Sequence, residues 1–205
     1  MVPKAKAKSE GATSARVDGR RERSRSSRAR IVAAMLELIE RGDLTPSAAR
    51  VAEEAGVGLR TVFRQFDDMD TLYRKMSETI AERVMPIIAA PYAGSDWRAD
   101  VRDLVGRRVR VFETMLPFRL AANIKRYQSP FLMGQYGQVV ALERDFLMRL
   151  LPEAVRADRV GVEALCVALS FQTWRALRHD QGLDSGEAGA AVAHMVETLL
   201  AVAPG

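Results

Sequence analysis

An all-α fold is what this sequence predicts, and three observations predict it. No run of alternating polar and apolar residues reads as a strand. Apolar residues recur instead at three- and four-residue spacing, and most of the 8 prolines and 14 glycines stand between those periodic segments. At 205 residues, 48% of them apolar and only 6% aromatic, the chain is long enough for one or two alanine-rich helical domains with real cores.

Residues 1–25 read as a basic arm. They are rich in Lys, Arg, Ala, Ser and Gly, lack apolar periodicity, and are expected to stay disordered without a partner. The first 30 residues hold ten basic groups (Lys4, Lys6, Lys8, Arg16, Arg20, Arg21, Arg23, Arg25, Arg28, Arg30) against Glu10, Asp18 and Glu22. That is a net +7 within a total of +5, so the rest of the chain carries −2. A basic arm on a slightly acidic body points to a polyanion partner at one end, although a solvated tail has the same composition.

A first helix is expected from about Ser26, with Ile31, Val32, Met35, Leu36 and Ile39 as its apolar stripe and Gly42 ending it. Next comes TPSAARVAEEAGVGLRTVFRQF, residues 45–66, which reads as two short helices around a tight turn. Thr45 is the expected cap and Pro46 the first helical residue. Ala48, Val51, Ala52 and Ala55 then fall on one narrow face of small apolar groups that lets another helix approach closely. Gly56 closes the helix in the left-handed conformation. In the second helix Val62 and Phe66 anchor inward, leaving Arg60, Thr61, Arg64 and Gln65 outward. Arg and Gln are the side chains that read guanine and adenine edges bidentately in the major groove, so the pair has the form of a helix-turn-helix. Spacing alone also fits a helical hairpin with a solvated basic face.

The run VAEEAGVGLRTVFRQFDDMDTLY resembles the DNA-binding domain of TetR-type (tetracycline-repressor-like) regulators, whose usual pattern is IAxxAGVSxxTLYxHFxxKxxL. Val51, Ala52, Ala55, Gly56, Val57, Thr61, Val62, Phe63, Phe66 and Leu72 fall at matching positions. The resemblance implies that the turn and second helix contact DNA. The candidate set is Thr45, Ser47, Arg50, Gly58, Arg60, Thr61, Phe63, Arg64 and Gln65. Three positions depart from the pattern: Gly58 stands for the usual Ser, Phe63 for the usual phosphate-binding Tyr, and Met69 for the usual Lys. Each departure removes a hydroxyl or a charge from an expected phosphate contact.

A fourth helix, capped by Asp68, runs through Leu72, Met76, Ile80 and Val84 to a kink or end at Pro86. It closes a DNA-binding domain of residues 26–90. A second domain, 91–205, follows a loop at Ala90 to Ser95. Its first helix spans about Asp96 to Met115, and Arg108 in its apolar stripe either binds an acid or lies at the stripe's edge. Pro117 is expected to start a shorter helix to about Arg126, and Pro130 another, weakened by Gly134 and Gly137, that is firm from Val139 to Leu151. From about Asp158 to His179 the chain is apolar on most sides, as a buried helix would be. A last helix, about Gly186 to Val202, has Ala191, Val192, Met195, Val196, Leu199 and Leu200 along one face.

The final two helices resemble the pair with which TetR-type regulators form a four-helix bundle across a two-fold axis, so the resemblance implies a homodimer on a palindromic operator. Packing within one chain satisfies the same periodicity. The resemblance also implies a ligand cavity in the second domain. Phe112, Met115, Phe118, Phe131, Met133, Tyr136, Phe146 and Trp174 are large or adaptable apolar groups that suit a small apolar or aromatic effector. Asn123, Tyr136 and Gln172 are placed to meet its few polar atoms. The same residues would also make an ordinary core.

The sequence has no GxSxG, P-loop, CxxC or HExxH, and His179 and His194 lack partners at metal-ligand spacing, so no cofactor or metal is expected. An enzyme is the weaker hypothesis, beside a basic nucleic-acid-binding protein without sequence preference. The apolar runs are too short for a membrane span, and the basic start lacks the apolar stretch of a secretory signal. Cys166, the lone cysteine, fits core packing in a reducing cytoplasm.

Overall fold

The computed structural model describes residues 9–66, 68–92, 94 and 96–204. Among them there is no strand, and the chain divides into two compact units, Met1–Met76 and Ser77–Gly205. The division therefore falls between Met76 and Ser77, whereas the sequence reading put it near residue 90.

In the first unit α1 (Ser9–Glu40), α2 (Ala48–Glu54) and α3 (Leu59–Gln65) pack on one another, and α4 (Met69–Ile88) begins after them. Residues 1–8 of the expected arm lie outside the described residues, but 9–25 are helical rather than disordered. Arg, a good helix former, is the commonest residue of this stretch (Arg16, Arg20, Arg21, Arg23 and Arg25) and no proline interrupts it, so the first helix extends well before Ser26. The core is made by Ile31, Met35, Leu38 and Ile39 of α1 with Val51, Ala52, Ala55, Val62 and Phe66, all buried. Gly42, at φ +96, ends α1 as its position predicts.

The second unit is built on α5 (Trp97–Lys125), which packs against α6 (Pro130–Leu150), α9 (Phe171–Arg175) and α10 (Ser185–Val202). Two short helices, α7 (Glu153–Ala157) and α8 (Arg159–Ala168), complete it. Capping fixes most of its helix starts. Asp96, Ser129, Asp158 and Ser170 each accept a backbone N–H three residues on, and Asp184 with Glu187 forms a reciprocal capping box.

Three expectations for this unit fail for physical reasons. Pro117 does not start a helix but lies inside α5. Burial of Val111, Phe112, Phe118 and Ala121 on one face holds the helix across the missing N–H. The apolar stretch from 158 to 179 is not one helix, because Ser170 breaks it by donating to Val167 O and capping α9. Nor is that stretch buried all round: Val160 is 80% and Val167 64% exposed, while Val162, Leu165, Leu169, Phe171 and Trp174 are buried.

Arg108 is neither an acid binder nor an edge residue. It is buried, and its guanidinium donates to the carbonyls of Leu169 and Glu143, tying α5 to α6 and to the α8–α9 junction. Burial holds its pKa below the usual arginine range. Its neighbour Arg107 donates to Asp103 and to the carbonyls of Ala90 and Pro91, and lies 3.9 Å above the Tyr92 ring. That cluster fastens the segment before α5 onto the helix.

Candidate functional site

The pair α2–α3 has the turn that its sequence predicts. Gly56 adopts φ +61, and the Gly56 and Val57 amides donate to the Glu53 and Ala52 carbonyls as the chain leaves α2. The cap of α2 is Ser47, whose hydroxyl accepts from Arg50 N at 3.2 Å, and not Thr45. Pro46 is buried just ahead of the cap, which moves the start of the helix two residues on, and the Thr45 amide donates instead to Asp43 Oδ1. Gly58, with φ −70 and ψ 145, is the N-cap residue of α3 but has no side chain to cap it.

On α3 the inward and outward faces separate as expected. Val62 and Phe66 are buried, Arg60 and Arg64 are exposed, and Thr61 and Gln65 are half-buried. Phe63 is exposed as well, an apolar ring on the outer face. Arg50 at the start of α2 is engaged at 3.2 Å by Glu53, whereas Arg60 and Arg64 make no hydrogen bond or ion pair among the described residues. Free guanidinium groups on a short anchored helix are available to an anionic partner.

The first helix contributes to this surface in a way the sequence reading missed. Ser24 Oγ donates to Gln65 Oε1 at 3.1 Å, and the Arg28 guanidinium lies 4.9 Å from the centre of the Phe66 ring. Reading residues up to 25 as a disordered arm hides the Ser24 contact, since only a helix reaching back past residue 24 brings Ser24 beside α3. A proline-free, Arg-rich composition is the signal that could reveal it.

The candidate effector residues of the second unit fall into separate groups. Phe112 and Trp174 belong to the main core, with Met115 half-buried against it, and Phe112 meets Phe171 edge-on at 5.6 Å. Trp174 Nε1 donates to Glu113 Oε1 at 3.0 Å, and Arg178 clasps both oxygens of the same carboxylate. Phe118 is buried with Arg83 over its ring at 5.8 Å, and Phe146 lies under Arg149 at 5.9 Å. Phe131 is half-buried and Met133 exposed.

The three polar candidates come together, and around a residue not anticipated from the sequence. Arg126 Nη1 donates to Asn123 Oδ1 at 3.2 Å, its guanidinium lies 4.2 Å from the Tyr136 ring, and Gln172 Nε2 donates to Tyr136 OH at 3.3 Å. Nearby, Arg119 pairs with Glu143 at 2.5 Å and lies 3.9 Å over the Phe171 ring. Asn123, Arg126 and Arg119 all stand on the end of α5 or its 3-10 extension Arg126–Gln128. Among the described residues no group of His, Cys, Asp and Glu is placed to hold a metal ion, and no helix is long and apolar enough to cross a membrane.

No family model matches the chain, and no curated protein matches its sequence. Solved structures do match its fold. A transcriptional regulator from Rhodococcus sp. Rha1 superposes with a TM-score of 0.66 at 17% identity, over 86% of this chain and 97% of that one. A candidate TetR-family transcriptional regulator from Mesorhizobium loti superposes with a TM-score of 0.57 at 17% identity, over 88% of this chain and 98% of that one. The likeness gives the chain, over most of its length, the fold of a TetR-family regulator.

Proposed function

We propose that the chain is a homodimeric, sequence-specific DNA-binding transcriptional regulator, acting in the cytoplasm as a repressor that a small effector releases from a palindromic operator. The observation that carries the reading is α3 itself. It is a seven-residue helix after a glycine turn, anchored by Val62 and Phe66, with Arg60 and Arg64 exposed and uncommitted among the described residues. Supporting it are the likeness in fold to two transcriptional regulators and the basic helix α1 beside α3.

The dimer forms through α8 and α10. Val160 and Val167 stand seven residues apart on α8 and are largely exposed, an apolar stripe that a second copy would cover. Two-fold symmetry then sets the recognition helices roughly 34 to 36 Å apart on successive major grooves. The effector has an apolar or aromatic body and acts by shifting α4, so that the two reading helices no longer match those grooves. Moving such a dimer from about 99% to about 1% DNA-competent requires some 5.5 kcal/mol of differential affinity.

Selection of operators from random DNA tests the reading. An inverted repeat with centres one helical turn apart is the expected product. Tight binding with no preferred sequence would instead establish a general nucleic-acid-binding protein.

A further inference from the structure

Arginine 126 holds a half-filled anion fork. The Nε and Nη2 atoms of a guanidinium point the same way and match the two oxygens of a carboxylate. Two other arginines of this protein use that edge in full: Arg102 Nε and Nη2 reach Glu197 at 2.6 and 3.0 Å, and Arg178 Nε and Nη2 reach Glu113 at 2.8 and 3.0 Å. At Arg126 the edge meets no carboxylate among the described residues. Nη2 donates to Tyr127 OH at 2.9 Å, and Nε is buried with no hydrogen-bond partner.

The occupant of the filled half is a solvent-exposed side chain. Tyr127 is 73% exposed, so its hydroxyl can return to water when it leaves Nη2. What surrounds the fork suits a flat ring: the guanidinium lies 4.8 Å from the Tyr127 ring centre and 4.2 Å from that of Tyr136, with Asn123 on its other edge and Gln172 on the Tyr136 hydroxyl.

We propose that the Nε–Nη2 edge of Arg126 binds the carboxylate of a small aromatic acid, whose ring stacks on Tyr136. This rests on the reading of the second unit as an effector domain and narrows the effector from any apolar compound to an aromatic carboxylate. Binding would fill the empty Nε, release Tyr127, and give Arg126 a carboxylate partner. A neutral amide of the same shape offers one acceptor in place of two and turns an N–H donor toward the fork, so the site should reject it.

The test uses the full chain with benzoate, phenylacetate and their primary amides, read by thermal shift and calorimetric titration. At least one acid is expected to bind and stabilise the protein while its amide does not. Arg126→Leu is expected to weaken that acid roughly tenfold to a hundredfold, the loss that follows removal of a charged hydrogen-bond partner. Tyr127→Phe keeps the ring and deletes the competing hydroxyl, so it is expected to tighten acid binding. Equal response to acid and amide, or inorganic phosphate displacing the acid at lower concentration, would overturn the proposal. So would unchanged acid binding in a folded Arg126→Leu protein, and if that variant does not fold, unchanged or weaker binding by Tyr127→Phe decides against it. Operator binding of the ligand-free protein is measured alongside; its absence would sink the regulator reading while leaving the acid site to stand on its own titrations.

Discussion

Ser24 and Gln65 are 41 positions apart in the sequence and joined by a hydrogen bond of 3.1 Å, with the serine hydroxyl as donor to the amide oxygen. The bond engages the Gln65 amide oxygen, while its nitrogen makes no hydrogen bond among the described residues. A glutamine needs both its oxygen and its nitrogen to pair bidentately with adenine, whereas its nitrogen alone can donate to acceptors on guanine or thymine. On the proposed DNA-binding reading, Ser24 competes with adenine for the Gln65 oxygen and biases which base Gln65 reads. Ser24→Ala should shift the preference at that one base pair toward adenine, as read by operator selection, with thermal stability almost unchanged. An identical selected sequence would mean that Gln65 does not read a base.

On the same reading, the bond divides the basic N-terminal segment into two parts expected to act differently on DNA binding. Removing residues 1–21 takes away Lys4, Lys6, Lys8, Arg16, Arg20 and Arg21 but keeps Ser24. Binding should weaken on all sequences alike, with a shallower salt dependence, because phosphate contacts release counterions without reading bases. Extending the deletion through Ser24 should add the change at Gln65. By contrast, Arg60→Ala or Arg64→Ala should cost on the order of 1 to 3 kcal/mol of binding and relax one base pair, as measured by titration on operator variants.

Gly58 offers a gain. Its backbone is extended, its φ of −70 is open to any residue, and a Cβ built there meets nothing within 4 Å. Gly58→Ser would give α3 the side-chain cap it lacks, worth a few tenths of a kcal/mol in stability. It would also restore the hydroxyl usual in TetR-type regulators at this position. Operator affinity should rise with no change in the selected sequence, as measured by melting and by titration. Lower affinity would place Gly58 where DNA backbone approaches too closely for a side chain.

Much of this was legible in the sequence because it is local. The glycine turn at Gly56, the anchors Val62 and Phe66, and the start of α4 at Asp68 each follow from residues within one or two helical turns. What stayed hidden depends on tertiary placement. Pro46 is buried, so the cap passes to Ser47. A buried face carries α5 through Pro117, and Ser170 divides a run that periodicity reads as one helix. Arg126 was invisible for a related reason, since nothing near it in sequence announces that Tyr136 and Gln172 arrive from α6 and α9.

The start of α4 carries a pH dependence. Asp68 Oδ1 accepts from Thr71 N at 2.7 Å, and that backbone bond, followed by the Thr71 side chain, holds the Asp68 carboxyl below its usual range. A carboxyl depressed in the folded state stabilises the fold wherever it is ionised, and the stabilisation is lost as pH falls through the folded value. Asp68→Ala should therefore melt below the parent at neutral pH, with the gap closing below about pH 4. A gap that persists unchanged into acid would show that the charge on Asp68 is not what caps α4.

The last prediction concerns Glu113, the one carboxylate shared by Trp174 and Arg178. Trp174 is almost fully buried, and its indole N–H ends on Glu113 Oε1 at 3.0 Å, while Arg178 holds both oxygens at 2.8 and 3.0 Å and donates also to Leu183 O. One side chain of α5 thus fixes α9, the turn after it, and the approach to α10. Glu113→Gln keeps the shape but turns an amide N–H toward donors on one side or the other. It should destabilise the protein by about 1 to 3 kcal/mol, the range for a buried donor left without an acceptor. Trp174→Phe removes the indole donor, so the same Glu113 change made in that background should cost less, with a coupling above roughly 0.5 kcal/mol. Denaturant unfolding of the two single variants and the double variant measures it. Strict additivity would mean that the indole bond contributes nothing beyond packing, and that Glu113 acts through Arg178 alone.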